Sequence, residues 1–266
     1  MKAHEIDFQI YGEEMQFVEI ELDPQEGVVA EAGSFMMMDD QIMMYTIFGD
    51  GSCQSKDILG SLFSAGKRLL TGESLFMTVF TNISGSKRKI SFASPYPGKI
   101  IPVDLNDYDG EFICQKDAFL CAAQGVSISI EFSKKLGRGF FGGEGFIMEK
   151  IQGDGKAFLH SSGTVVTKEL KAGEKLKVDT GCIVGFSKTV NYDIEFIGGI
   201  RNTLFGGEGM FFANLTGPGL VAVQSLPFSR LADRILSHAP SSGGKRKGEG
   251  SVLGGLGDLL DGDNRF

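Results

Sequence analysis

Three glutamates are the first residues whose type and spacing point to chemistry. Glu73 in LTGESLF, Glu144 in FGGEGFI and Glu208 in FGGEGMF share a frame of glycines and apolar residues, 71 and 64 positions apart. Three carboxylates brought together would bind a hard cation through oxygen. Each glutamate is preceded, by 5, 6 and 7 residues, by an arginine: Arg68, Arg138 and Arg201. An Arg–Glu pair within each segment is the simpler expectation, with the cation or ligand cluster as its alternative. GGEG resembles a phosphate-binding loop, but a strand pattern follows it, so no helix N-terminus is offered to an anion. His4, His160 and His238 lie far apart, without HxH or HExxH spacing, which argues against the clustered imidazoles of a cupin-like oxygenase or isomerase. No GxSxG, Walker-type or dinucleotide fingerprint occurs. The expectation is no catalytic residue, no metal, no cofactor and no enzymatic activity.

The elements that would position the glutamates recur with them. Upstream of each lies a second shared block: EGVVAEAGSFM from Glu26, EFICQKDAFLC from Glu111 and EKLKVDTGCIV from Glu174. Between the blocks, GVSISIEF from Gly125 and VNYDIEFI from Val190 alternate as half-buried strands do. The first copy carries an insertion from Phe48, FGDGSCQSKDILGSLFSAGKR, whose ILGSLF is a candidate contact surface. Turn signals follow each glutamate block, most clearly Asp154-Gly155 in FIMEKIQGDGKAFLHSSG. This predicts an all-β protein, a β sandwich or barrel of the double-stranded β-helix type with three pseudo-symmetric repeats, about 15–97, 98–162 and 163–226. A helix over 229–238, capped by Ser229 and stopped before Pro240, closes a single domain of 1–239. Residues 240–266 read as a flexible linker and tail, in which Val252, Leu253, Leu256, Leu259 and Leu260 fall on a helical stripe suited to docking.

Composition bounds the function. Of 266 residues 42% are hydrophobic, and 38 glycines suit many tight turns between short strands. A net charge of −8 opposes phosphate-backbone binding, so no nucleic-acid partner is expected. The acidic opening MKAHEIDFQIYGEEM is unlike an export signal, and no apolar run reaches membrane-spanning length; the expected location is cytoplasmic. Cys53, Cys114, Cys121 and Cys182 form no CxxC and read as reduced, structural residues. SFMMMDDQIMMY holds five methionines in nine positions, expected as core, with an adaptable binding surface as the alternative.

EAGSFMMM, TGESLFMTVF, PGKIIPVDL, DAFLCA, VDTGCIVGF and FGGEGMFFANLTGPGLVAVQSLPFSRLA together resemble the altered-inheritance-of-mitochondria (mitochondrial biogenesis) family, over about residues 5 to 235, in its bacterial branch. The resemblance implies a fold similar to the tryptophan RNA-binding attenuator protein, triplicated strands and oligomers, and no enzyme activity. A fungal member's association with the mitochondrial inner membrane makes a scaffold role attractive. RNA binding does not follow from the fold name. Two functions are carried forward. One is a non-enzymatic scaffold, homo-oligomeric with a trimer favoured, that engages an unknown protein partner or a membrane surface through its tail. The other is a small-molecule or cation-binding β barrel with weak enzymatic activity.

Overall fold

In the computed structural model, residues 2–48, 76–134, 146–197 and 210–238 are described. They form nineteen strands and one α-helix. The first group is β1 (Asp7–Tyr11), β2 (Phe17–Leu22), β3 (Gly27–Glu31), β4 (Phe35–Met38), β5 (Ile42–Phe48), β6 (Phe76–Asn82) and β7 (Arg88–Ala93). The second is β8 (Gly98–Asp104), β9 (Glu111–Gln115), β10 (Phe119–Ala123), β11 (Ser127–Lys134), β12 (Phe146–Gln152) and β13 (Lys156–Ser162). The third is β14 (Val165–Leu170), β15 (Lys175–Asp179), β16 (Ile183–Ser187), β17 (Asn191–Ile197), β18 (Met210–Thr216) and β19 (Gly219–Gln224), followed by α1 (Phe228–His238). The chain divides into two compact units, Met1–Arg230 and Leu231–Phe266.

Alternation explains why these segments are strands. In β2, Val18, Ile20 and Leu22 are buried while Phe17, Glu19 and Glu21 are half-buried on the other face. Lys89 on β7 and Lys87 just before it reach Glu19 and Glu21 at 2.7 and 2.6 Å. Such solvated pairs set register and solubility more than stability. The sheets are antiparallel and run β1-β2-β7-β4, β5-β6-β3-β10-β13-β8, β11-β12-β9-β16-β19-β14 and β15-β18-β17. The pairings β2–β7, β7–β4, β3–β6 and β6–β5 are therefore reproduced at the corresponding positions of β8–β13 and of β14–β19. A register break also recurs: between Phe35 and Met37, between Phe119 and Cys121, and between Ile183 and Gly185.

Two apolar clusters lie between the sheets. The larger contains Phe80, Phe92, Phe112, Phe119 and Phe158; the smaller contains Phe146, Phe186, Ile194 and Leu215. Phe80 on β6 meets Phe92 on β7 edge to face at 5.5 Å, joining the first sheet to the second. Each buried phenylalanine contributes roughly 1.5–3 kcal/mol of transfer free energy. Asn82, at the end of β6, is one of the buried polar residues and is fully buried. Its amide donates to the carbonyls of Leu22 and Ser86, and its Oδ1 accepts from the amide and hydroxyl of Ser84.

Two local expectations shift. The turn between β12 and β13 spans Gly153, Asp154 and Gly155, and the positive φ, 149°, falls on Gly153 rather than on Asp154-Gly155. The three-residue connection moves the left-handed position one place earlier. The helix begins at Phe228, so Ser229 lies inside its first turn. Among the described residues no helix is long and apolar enough to cross a membrane.

Candidate interaction surface

The glutamates and arginines singled out by sequence, Glu73, Glu144, Glu208, Arg68, Arg138 and Arg201, lie outside the described residues, as do the tail leucines with Val252, and the ILGSLF segment. Each glutamate belongs to the segment joining two paired strands: β5 to β6, β11 to β12, and β17 to β18. The candidate surface must instead be built from what the strands display.

The methionines overturn the expectation that they form core. Phe35, Met36, Met37 and Met38 on β4, and Met43, Met44 and Tyr45 on β5, are all exposed, between 38 and 58%. Position in the sheets is the cause. β4 ends the first sheet and β5 ends the second, so among the described residues neither pairs with an outer strand. Phe35 is anchored by stacking on Phe80 at 5.5 Å and 16°, which ties the exposed strand to the core beneath it. Exposed apolar side chains in this number mark a place of contact, and unbranched methionine adapts to a partner's shape.

The corresponding strands of the other two groups are covered. Every residue of β10 and of β16 is buried. β10 is clamped between β13 and β3, with Cys121, Ala122 and Ala123 opposite Ala30, Val29 and Val28. β16 is clamped between β19 and β9, with Gly185, Phe186 and Ser187 opposite Cys114, Ile113 and Phe112. Close approach demands small residues there: a Cβ on Gly185 would lie 2.6 Å from the Phe112 ring and 2.7 Å from the Ile113 carbonyl oxygen. β15 is the counterpart of β3 and β9, and it too ends its sheet, with an exposed or half-buried surface throughout.

Two buried titratable groups lie apart from this surface. Glu149 on β12 is 1% exposed, faces Cys114 across the ladder, and its Oε2 has no hydrogen-bond partner. Burial, then the charge of Glu31, pushes its carboxyl well above the usual range. By strand alternation Glu149 shares a face with Ile147 and Ile151, a signal legible in FIMEKIQ that the sequence reading passed over. His160 on β13 is held by Ser94 at 3.2 Å and by the Tyr96 ring at 4.9 Å. Burial lowers its pKa to about 4, so the ring is neutral near pH 7. His4 accepts the Gly27 amide through Nδ1 at 2.9 Å. His4 and His160 thus make unrelated contacts, and among the described residues no group of three or more His, Cys, Asp and Glu is arranged to hold a metal. Cys114 and Cys121 are buried free thiols raised well above their ordinary range by desolvation, while Cys182 is half-buried. A cavity of about 300 Å³ is lined by Asp107, Asp109, Glu169 and Lys188, among others, with the Lys188 ammonium donating to the Asp109 carbonyl at 2.9 Å.

Comparison with known proteins agrees with this architecture. A solved structure, protein SPYM3_0169 from Streptococcus pyogenes, matches with a TM-score of 0.68 at 22% identity, covering 88% of this chain and 100% of that one. The uncharacterized protein M6_Spy0233 of Streptococcus pyogenes serotype M6 is 27% identical over 233 residues, 86% of this chain and 89% of the relative. The profile of the family described as mitochondrial biogenesis AIM24 matches residues 8–226. The chain therefore belongs to the mitochondrial biogenesis AIM24 family.

Proposed function

We propose that this protein is a non-enzymatic scaffold that assembles with copies of itself and acts in the cytoplasm. The observation that carries the reading is the set of seven large apolar residues, Phe35–Met38 and Met43–Tyr45, exposed on two edge strands consecutive in the chain. A solitary chain gains nothing from holding these side chains in water, whereas burial against another protein removes about 25 cal/mol of cost per Å². The tail leucines would then recruit a protein partner or membrane surface to the assembly. Light scattering on the full-length protein tests the reading, with a mass at an integer multiple of 28.7 kDa expected. A single-chain mass at every concentration would refute it.

A second reading, a small-molecule or cation binder, is favoured by the cavity beside Asp107, Asp109 and Glu169. Lys188 among those acids suits a small polar molecule better than a bare cation. Calorimetric titration with calcium and with small polar metabolites separates the two: heat from calcium alone supports a cation site, and heat from neither removes this reading.

A further inference from the structure

We infer that the open edge strand β4 of one copy pairs antiparallel with the open edge strand β15 of another, reproducing between chains the seam built twice within the chain. This rests on the scaffold reading and gives it a definite interface. β3 pairs with β10 and β9 with β16, and those two seams weld the three strand groups together. β15 occupies the position of β3 and β9, and β4 the position of β10 and β16; among the described residues neither has a second neighbour. The difference in burial is complete: β10 and β16 are buried at every residue, β4 at none. An edge with unpaired backbone groups and an uncovered apolar surface is a template for a further strand.

The two internal seams fix the register of the third. The recurrent break aligns Met37 with Cys121 and Gly185. The ladders β3–β6, β9–β12 and β15–β18, each followed by a corner three residues long, align Val178 with Ala30 and Cys114. Cys121 faces Ala30 in the first seam and Gly185 faces Cys114 in the second. Both seams therefore place Met37 opposite Val178, Met38 opposite Lys177 and Asp39 opposite Leu176. One step further, Asp40 faces Lys175, an opposite-charge cross-strand pair on the solvent side. The result joins β17-β18-β15 of one copy to β4-β7-β2-β1 of the next in one seven-stranded antiparallel sheet. Met37 and Val178 then face the apolar interior, as Cys121 and Ala30 do. Because the two surfaces differ, the contact is head to tail, and copies add until the rotation closes a ring.

Cysteine cross-linking in full-length protein, with Cys53→Ser and Cys182→Ser as background, tests the register. Directly opposed residues in an antiparallel ladder have Cα atoms about 4.5–5.5 Å apart, within disulfide range. Met38→Cys and Lys177→Cys, mixed as separate proteins and mildly oxidised, should give a species of twice the chain mass that neither gives alone. Met36→Cys mixed with Lys177→Cys, two positions out of register, should give at least tenfold less. Charge reversal supplies the independent measurement: Asp40→Lys or Lys175→Asp alone should weaken association about fivefold, and both in one chain should restore it. Self-association without the Met38–Lys177 cross-link and without charge rescue overturns the seam while leaving the scaffold reading intact. With Met38→Cys and Lys177→Cys placed in one chain, a disulfide formed only inside single chains overturns it in favour of closure within one molecule. A single-chain mass for the untreated protein overturns both readings.

Discussion

Two buried groups on consecutive strands should make folding stability respond to pH in opposite senses, and removing either one unmasks the other. The folded-state pKa of His160 is about 4, below its unfolded value of 6.5. Its contribution is whole above pH 6.5 and is lost as pH falls toward 4, because only the unfolded chain then takes up the proton. A gap of 2.5 units at 1.36 kcal/mol per unit is about 3 kcal/mol. Glu149 runs the other way. Its folded pKa is raised well above 4.5 by burial and by Glu31, so its contribution is whole below pH 4.5 and is lost as pH rises. The slope approaches 1.4 kcal/mol per unit until the folded group ionises. From pH 4.5 to 6.5 the two slopes oppose each other, and above 6.5 that of Glu149 remains. Glu149→Gln keeps the shape of the side chain and removes the titration. Urea unfolding of wild type, Glu149→Gln and His160→Gln, in steps from pH 4.5 to beyond 6.5, measures the slopes. The Glu149→Gln curve should rise with pH relative to wild type, and the His160→Gln curve should fall. Curves parallel to wild type across that window would refute the reasoning for the variant concerned.

Further outcomes follow from the same geometry. Gly185→Ala should cost about 1–3 kcal/mol in urea unfolding, since the new methyl meets Phe112 and the Ile113 backbone in a closed seam. Asn82→Ala should cost about 2–4 kcal/mol, since it leaves the Leu22 and Ser86 carbonyls and the Ser84 donors without their buried partner. Met43→Ser with Met44→Ser should shift stability by less than about 0.5 kcal/mol. The same pair should lower the assembled fraction in light scattering, which an unchanged mass distribution would contradict. A chain ending at Ala239 should keep the oligomer mass of the full-length protein and lose a partner or membrane fraction recovered from native lysate. Equal recoveries would return the search for a partner to the β body.

Much of the fold is legible in local pattern. GVSISIEF and VNYDIEFI alternate with period two, and they are β11 and β17; SRLADRILSH carries a helical stripe, and it is α1 within one residue. Alternation depends only on which face of a strand meets a core, and that is written in consecutive residues. The methionines show where local pattern stops. FMMM and IMMY read as core because the residues are apolar, yet burial also requires another strand beyond the edge, and that depends on which distant segment pairs with which. β10 and β4 begin alike, with Phe119-Leu120 and Phe35-Met36. One is sealed because β3 and β13 flank it, and the other is bare because, among the described residues, β7 alone pairs with it. The strands, the C-terminal helix and the family can all be read from the order of residues. Tertiary structure alone decided which edges were left open, because strand neighbours are chosen by long-range pairing that no window of residues contains.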